Sequence, residues 1–323
     1  MTHSYKPQND TQPSIVPKDL ILSLATNLNY SDFSRFIRSA RRFCPVETTD
    51  LVLFVQPMEP QFIELANELQ VTLMPIVSFW REVSSNLALK ILYRSFLLAL
   101  QLGASLGSPG FAQVHRSITA NWIHAICTRH FAGRDFLAVN PTYRCVLLSD
   151  SRDVIFQGNP FPLVDPHVLN VFEQDPSLKY GGNHIDSEWF AKVFSPKLLN
   201  SLRGKQTLCA GTVMGSPAVL LDYLARMETE ILARKYRVID QAVHNKLVYL
   251  DLPQGAVQIH SNRSGLILTL GETSGDGYEV VGNQVTIGGE VVPVVHQYDR
   301  IPQLKSMFEA MYASPESNSV MTN

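Results

Sequence analysis

A short apolar run that ends on two aspartates is the feature that most constrains how this chain can fold. Residues 145–148 are all apolar, and Ser149 leads from them into the turn Asp150-Ser151-Arg152-Asp153. Such a run is typical of a strand that is buried on both faces, as in the centre of a mostly parallel sheet. Open α/β sheets bind their ligands beyond the carboxyl ends of their strands. Two carboxylates at that edge suit Mg²⁺ or Mn²⁺ and, through the cation, a diphosphate.

The first third of the chain alternates strands with helices. Residues 20–25 have the pattern of a buried strand, two further strands are predicted at 51–55 and 71–77, and helices separate the three. Ser31 is placed to cap the first helix, and Pro60 opens the second. A β-α-β-α-β order predicts a parallel sheet with right-handed crossovers.

The remaining chain predicts two kinds of structure. Helices are expected over 85–102 and 117–138, and we expect the apolar first one to pack into the core. Three strands at 278–281, 284–287 and 290–295 are joined by glycine-containing pairs that suit hairpin turns, which indicates an antiparallel meander. Further elements are predicted at 168–172, 216–235, 240–249 and 256–260.

The predicted fold class is therefore α/β, with a mostly parallel mixed sheet flanked by helices and a C-terminal antiparallel meander. One domain is expected over 18–312, after a disordered segment at 1–17 and before a flexible tail at 313–323. The absence of a GxGxxG motif after the first strand argues against a dinucleotide-binding fold.

The composition indicates which kinds of partner the protein can bind and in which cellular compartment we expect it. The chain of 323 residues has a net charge of −2, which argues against nonspecific nucleic-acid binding because that requires a basic face. Its four widely spaced cysteines suit buried thiols in a cytoplasmic protein. Neither a signal peptide nor a membrane span is expected. Peripheral attachment to a membrane stays open.

Four segments together resemble the GT-A glycosyltransferases. Residues 147–161, which run from the apolar strand through both aspartates to Asn159-Pro160-Phe161, resemble the family's metal-binding DxD strand, here spaced as DxxD. The segment 209–215 resembles the NAG-x-x-x-G loop beside the donor sugar, with cysteine at the position of asparagine. Asp240-Gln241 resembles the family's DQ pair. Residues 294–299 resemble the C-terminal strand whose histidine completes the metal site in glycogenin-like members.

This resemblance implies a GT-A (Rossmann-like) fold and a nucleotide-diphosphate sugar as donor. The acceptor, whether glycan, lipid or small molecule, is left open. The implied metal ligands for Mn²⁺ or Mg²⁺ are Asp150, Asp153 and His296. An inverting enzyme needs a general base within hydrogen-bond reach of the acceptor hydroxyl, and Asp240 and Asp186 are the catalytic candidates for that role. The implied nucleotide-sugar contacts are Thr26, Asn27, Arg129, Arg134, Ser149, Gly211, Thr212 and Gln241.

Structural explanations compete with each of these assignments. The aspartates at the end of the strand could cap the next segment, and Asp240 could be a helix N-cap. His260 also ends a short strand and is a rival third ligand. The two arginines could be solvated at the end of their helix.

The function that the sequence favours is metal-dependent transfer of a sugar from a nucleotide-diphosphate sugar to an acceptor hydroxyl. The histidine resembles that of retaining members, so retention of configuration is preferred over inversion. One alternative is a non-catalytic GT-A-like domain that binds a sugar nucleotide or a glycan, or that acts as a scaffold. A nucleotidyltransferase is less favoured, because the segment after the first strand has no glycine.

Overall fold

We analysed a computed structural model of the protein, which describes residues 16–79, 85–105, 109–234, 239–273 and 275–313. The segments predicted to be disordered and flexible, at 1–17 and 313–323, lie outside these ranges except for Val16, Pro17 and Ala313.

Thirteen strands are formed by the described residues. They are β1 Asp19–Ala25, β2 Thr49–Val55, β3 Thr72–Pro75, β4 Val146–Ser149, β5 Val154–Phe156, β6 Leu169–Glu173, β7 Leu208–Gly215, β8 Val257–His260, β9 Ile267–Thr269, β10 Glu279–Val281, β11 Gln284–Ile287, β12 Glu290–Val291 and β13 Val294–His296.

Ten α-helices are formed by the same part of the chain. They are α1 Tyr30–Phe43, α2 Pro60–Glu68, α3 Leu87–Ser105, α4 Pro109–Trp122, α5 Ala125–Val139, α6 Ile185–Val193, α7 Pro196–Ser201, α8 Pro217–Leu232, α9 Asp240–Lys246 and α10 Pro302–Met311. A π-helical turn over Leu247–Asp251 extends α9.

Seven strands form a central sheet in the order β3-β2-β1-β4-β7-β6-β8. All neighbouring pairs are parallel except those that β7 makes with β4 and β6. Successive side chains of a strand point to opposite faces. Ile21 accordingly packs with α1 and α2 on one face, whereas Leu20 and Leu22 pack with α5 and α8 on the other. The predicted mostly parallel sheet between helices is confirmed.

Two smaller sheets complete the fold. The predicted meander is present as β10-β11-β12, with Gly282 and Gly288 in the left-handed conformation that such tight turns require. The prediction that its last strand continues to Val295 is wrong, because the chain leaves the meander after Val291. The following strand, β13, lies between β5 and β9 in a separate sheet.

Three local predictions also differ from the structure. Asn29, not Ser31, caps α1, and its side chain accepts a hydrogen bond from the N–H of Asp32 at 2.8 Å. The helix predicted over 117–138 is two helices, α4 and α5, which are separated at Ile123 and His124. The helix predicted to be packed into the core, α3, exposes much of its apolar surface.

None of the helices in the described ranges combines the length and apolar character that crossing a membrane requires.

Candidate active site

The turn with the two aspartates lies at the carboxyl edge of the central sheet, as predicted. β4 is the fourth of the seven strands, and Asp150 follows its last residue. The hydroxyl of Ser23 on β1 donates to the backbone carbonyl of Ser149 at 2.7 Å. The hydroxyl of Ser151 donates to the carbonyl of Leu24 at 2.6 Å. These bonds fix the turn against the end of the neighbouring strand.

His296 reaches this turn because of the register of the small sheet. β13 pairs antiparallel with β5, so that His296 lies opposite Val154, the residue after Asp153. The N–H of Gln297 also donates to the carbonyl of Asp153 at 2.6 Å. Strand pairing therefore joins two positions that are more than 140 residues apart in the chain.

The side chains of Asp150, Asp153 and His296 converge on one point. Their ligand atoms all lie within 4.8 Å of one another, and no other group of His, Cys, Asp and Glu does so in the described part of the chain. Nε2 of His296 is 3.3 Å from Oδ2 of Asp150 and 3.7 Å from Oδ1 of Asp153. Two carboxylate oxygens and one imidazole nitrogen in this arrangement could hold a divalent cation.

Each carboxylate presents one oxygen to this point and the other to arginine. Oδ1 of Asp150 forms an ion pair with Arg129. Oδ2 of Asp153 lies 3.4 Å from Arg152 and 3.6 Å from Arg300. The arginines thus orient both carboxylates and leave Oδ2 of Asp150 and Oδ1 of Asp153 facing the imidazole.

The two aspartates have pKa values shifted in opposite directions. Burial tends to raise the pKa of Asp150, but Arg129 and His296 lower it below its ordinary value. Burial raises the pKa of Asp153, and the neighbouring charge of Asp150 adds to that rise against the opposing effect of His296. Arg129 is therefore the main reason why Asp150 is the more acidic of the two.

His296 is completely buried and is oriented by its other ring nitrogen. Nδ1 lies 3.3 Å from Sγ of Cys209, whereas Nε2 has no hydrogen-bond partner within the described structure. Burial disfavours the charged imidazole, but Cys209 and Asp150 raise the pKa of His296 well above its ordinary value. The negative groups around the ring therefore stabilise positive charge at this point of the site.

Gly211 keeps this point open. The N–H of Asp150 donates to the carbonyl of Gly211 at 2.8 Å, which draws β7 against the turn. A Cβ at position 211 would lie 2.5 Å from Oδ2 of Asp150 and 2.5 Å from Cε1 of His296. Any side chain there would occupy the space between the candidate ligands. These observations fit a bound cation: an unpartnered buried nitrogen, two free carboxylate oxygens and a glycine that leaves room.

Arg129 joins the turn to the start of α9. Its Nη2 is 3.0 Å from Oδ2 of Asp240 and donates to the carbonyl of Ala210 at 2.9 Å. Asp240 is the first residue of α9 and makes no capping bond. Its carboxylate lies 4.0 Å from Nε2 of His130. The interpretation of Asp240 as a helix cap is therefore wrong, and its buried charge is balanced by Arg129.

Gln241 connects Asp186 to the segment 209–215, which was predicted to be a loop but forms part of the buried strand β7. Its Oε1 accepts from the N–H of Ala210 at 2.9 Å, and its Nε2 donates to Oδ2 of Asp186 at 3.3 Å. Gln174 also donates to that oxygen, at 2.9 Å. Burial raises the pKa of Asp186. The side chain of Gln241 therefore bridges the carboxylate of Asp186 and the backbone of the 209–215 segment, which borders the candidate metal ligands.

The remaining predicted contact residues occupy different surroundings. Thr26 and Asn27 follow β1 at the edge where the turn lies, and Asn27 is exposed with a positive φ of 57°. The buried hydroxyl of Ser149 donates to the carbonyl of Asp150 at 2.7 Å, and Thr212 is completely buried. Arg134 forms an ion pair with Glu228 of α8 at 2.7 Å.

His260, the rival third ligand, is not part of the cluster. It stacks on Phe172 with ring centroids 5.1 Å apart, and its Nε2 lies 2.9 Å from Oδ1 of Asn170. Arg300 and His130 do contact the site but were not among the residues predicted to form it. Arg300 follows soon after His296 in the sequence, and His130 is adjacent to Arg129, so proximity along the chain was the only available signal.

The comparisons with solved structures return glycosyltransferases, the class that the motifs resemble. The bifunctional glycosyltransferase WbbM in its apo structure is 14% identical with a TM-score of 0.46, and 80% of this chain and 41% of that one are covered. Core-mannan synthase A from Aspergillus fumigatus, in an Mn/GDP form, is 11% identical with a TM-score of 0.42 and coverage of 81% and 80%. The galactosyltransferase LgtC, in complex with donor and acceptor sugar analogs, is 13% identical with a TM-score of 0.43 and coverage of 92% and 98%.

This chain therefore spans less than half the length of WbbM. No protein-family model matches the sequence, and no curated protein matches it.

Proposed function

We propose that this protein is a metal-dependent glycosyltransferase that moves a sugar from a nucleotide-diphosphate sugar to an acceptor hydroxyl. The convergence of Asp150, Asp153 and His296 around the space left by Gly211 is the observation that carries the proposal. It lies at the carboxyl edge of a mostly parallel sheet, where such folds bind nucleotides. The order of the four motifs in the sequence supports the same activity.

Oδ2 of Asp150, Oδ1 of Asp153 and Nε2 of His296 would hold the cation. When bound, Mn²⁺ or Mg²⁺ supplies Lewis-acid stabilisation of the negative charge that develops on the leaving diphosphate. A nitrogen ligand beside two carboxylates favours Mn²⁺ over Mg²⁺. Arg129 keeps Asp150 ionised and correctly oriented for this role. Cys209 holds the imidazole ring so that Nε2 faces the carboxylates.

Two exposed arginines are suited to contact the diphosphate. Arg152 and Arg300 border Asp153, and about half of each side chain is exposed, at 53% and 44%. A guanidinium can form two parallel hydrogen bonds to phosphate oxygens. We propose that both neutralise the donor's phosphates, with Thr26 and Asn27 along the rest of the donor.

Asp186 and Asp240 have different proposed roles. The carboxylate of Asp240 is committed to Arg129, so we assign it to positioning the guanidinium that orients Asp150. Burial raises the pKa of Asp186, and a raised pKa makes its carboxylate a stronger general base. We propose that Asp186 lies on the acceptor side. Retention of configuration is preferred, following the resemblance of the His296 strand to glycogenin-like members.

The working unit and compartment are also part of the proposal. We assign the activity to residues 18–312 as one domain. All four cysteines are buried and none forms a disulfide among the described residues, which supports a reducing cytoplasmic location.

The test combines donor binding with turnover. UDP-, GDP- and CDP-sugars are screened by thermal shift with and without Mn²⁺, since a ligand bound only by the native state raises its stability. The donor that shifts the melting temperature is then assayed for release of its nucleoside diphosphate. Asp153→Ala should reduce turnover at least about a hundredfold while the protein stays folded. The matched control, Asp222→Ala, removes an exposed carboxylate and should retain full activity.

Near-wild-type turnover by Asp153→Ala would refute the proposed mechanism. Metal-dependent donor binding without any turnover in the wild-type protein would instead support a non-catalytic sugar-nucleotide-binding domain.

A further inference from the structure

The helices α3 and α4 expose an unusually apolar surface to solvent. Between 46% and 71% of each of eight large side chains is exposed, whereas a soluble surface normally scatters such residues singly. We call this set the apolar hairpin surface. Its members are Leu87, Ile91, Leu92, Phe96, Leu98, Leu102, Phe111 and Val114.

The exposed residues of α3 lie on one side of the helix. Leu87, Ile91, Leu98 and Leu102 follow one another at intervals of four, seven and four residues, which aligns them in a single stripe. Phe111 of α4 lies close to Gly103, because a Cβ added there would be 2.7 Å from its ring. The apolar surface is therefore continuous from α3 onto the start of α4.

The opposite side of the hairpin attaches it to the rest of the protein. Tyr93 is buried and stacks on Trp122 with ring centroids 5.7 Å apart. The amide of Gln101 donates to the carbonyl of Leu232 at the end of α8, and Arg116 forms ion pairs with Glu228 of the same helix. The fold thus fixes one face of the hairpin and leaves the apolar face outward.

Charge identifies the kind of partner that fits this face. From residue 83 to residue 134 the sequence contains no Asp or Glu, although the whole chain has 29 of them. Within α3 the only charged residues are Lys90 and Arg94. Arg94 is exposed and lies one turn before Leu98, at the border of the apolar stripe. Long basic side chains at such a border can extend to lipid headgroups while their neighbours enter the acyl region.

We propose that the apolar hairpin surface docks on an anionic lipid bilayer, with its leucine and phenylalanine side chains inserted and with Lys90 and Arg94 at the headgroups. A helix that is apolar on one side and bordered by cations lies in the plane of the interface. The absence of carboxylates removes the repulsion that an anionic surface would otherwise cause. The inference rests on this hairpin alone and is independent of the proposed sugar transfer.

The experiment is co-sedimentation of the full chain with vesicles. Vesicles of phosphatidylcholine that contain roughly 30 mol% phosphatidylglycerol are compared with vesicles of pure phosphatidylcholine. The wild-type protein should sediment with the anionic vesicles and release with rising salt. The double variant Ile91→Glu/Leu98→Glu should bind the anionic vesicles at least about tenfold more weakly, because it lacks two aliphatic side chains that insert into the bilayer. Arg94→Gln should weaken binding about fivefold.

The control variant Val281→Glu places the same charge at another exposed apolar position, in the meander, and should bind as the wild type does. Circular-dichroism melting establishes that all variants are folded. Equal sedimentation of the wild type and the double variant would overturn the proposal. A dimer of the wild-type protein in lipid-free analytical ultracentrifugation would also overturn the proposal if the double variant were a monomer. That result would mean that a second copy of the chain covers the apolar hairpin surface.

Discussion

Folded proteins usually bury apolar side chains and expose charged ones. The candidate cation site and the apolar hairpin surface depart from this distribution in opposite ways. The site buries charge: the side chains of Asp153, Asp240 and His296 are at most 7% exposed. The hairpin exposes apolar side chains and excludes acidic ones. Each arrangement has a cost in the isolated protein, because buried charges lose hydration and exposed apolar groups order water.

The two regions differ in how that cost is met. In the site, the carboxylates of Asp150, Asp153 and Asp240 each have an arginine neighbour from the chain itself, chiefly Arg129 for Asp150 and Asp240. On the hairpin, no apolar residue of the fold covers the outward stripe of α3 within the described part of the chain. The charges of the site are therefore largely balanced within the protein, whereas the apolar side chains of the hairpin surface remain exposed to solvent. The variants below test this contrast, from the largest expected effect to the smallest.

Replacing Arg129 should have the largest effect on stability. Arg129→Met keeps an apolar stem but leaves the carboxylates of Asp150 and Asp240 without their shared cation. Breaking a buried ion pair on one side costs about 3–5 kcal/mol of unfolding free energy, which urea denaturation measures. Arg226→Met, which removes an exposed i,i+4 pair with Asp222, should cost less than about 0.5 kcal/mol. Equal losses in the two variants would mean that the site does not depend on internal charge balance.

Gly211→Ala tests whether the open space is needed for the cation. The added methyl group would lie against Oδ2 of Asp150 and the ring of His296, so we expect Mn²⁺ affinity to fall about 10- to 100-fold. Calorimetric titration provides the measurement. Gly255→Ala is the matched control, because a Cβ there meets nothing within 4 Å. Unchanged affinity in Gly211→Ala would remove the steric argument for the site.

Acid should destabilise the protein through the buried imidazole of His244 on α9. His244 is completely buried beside Tyr223, and burial lowers its pKa from 6.5 to about 3. The folded state therefore holds a neutral imidazole, whereas the unfolded state binds a proton below pH 6.5. The stabilisation that this group provides is present above pH 6.5 and is lost as the pH falls toward 3, by about 1.4 kcal/mol per pH unit.

Denaturant titrations of the wild type and of His244→Asn between pH 7 and pH 4 separate this contribution from that of the carboxylates. The variant should have the shallower dependence. Identical slopes would show that His244 is not held neutral by burial.

Arg300→Ala should have the smallest effect. Its guanidinium is 44% exposed and lies 3.6 Å from Oδ2 of Asp153, and Arg152 lies 3.4 Å from the same oxygen, so Asp153 keeps one cationic neighbour when Arg300 is removed. If it contacts the donor's phosphates, KM for the donor should rise about threefold to tenfold with little change in kcat, since a charged hydrogen bond contributes about 1 kcal/mol near a surface. A fall in kcat at constant KM would instead place Arg300 in the chemical step.

The sequence predicted most of the fold because local patterns specify it. Apolar runs placed the strands of the central sheet, and the turn after β4 placed the two aspartates at its carboxyl edge. Two features were not predictable locally. β5 and β9 have three residues each, too short for a periodic pattern, yet their pairing with β13 is what positions His296. The exposure of α3 was missed because apolar composition alone does not distinguish a core helix from an interfacial one.

The sequence predicted the three side chains that cluster in the site, but not the residues that support them. Asp150, Asp153 and His296 could be named from motifs, whereas the contacts of Arg300 and the contact between Cys209 and His296 depend on tertiary geometry. The burial of Asp240 against Arg129 was hidden for the same reason, since a helix-start aspartate has the sequence pattern of a cap. Local sequence patterns do not predict which distant segments of the chain contact each other in a site.

Direct titration of Mn²⁺ tests the central claim, that Asp150, Asp153 and His296 form a cation site. Isothermal titration calorimetry of the wild-type protein should show one binding site. The folded variant Asp150→Asn/Asp153→Asn should lose at least about a hundredfold in affinity, while Asp222→Asn binds as the wild type does. Absence of Mn²⁺ binding by the wild-type protein, or unchanged binding by the double variant, would contradict the account.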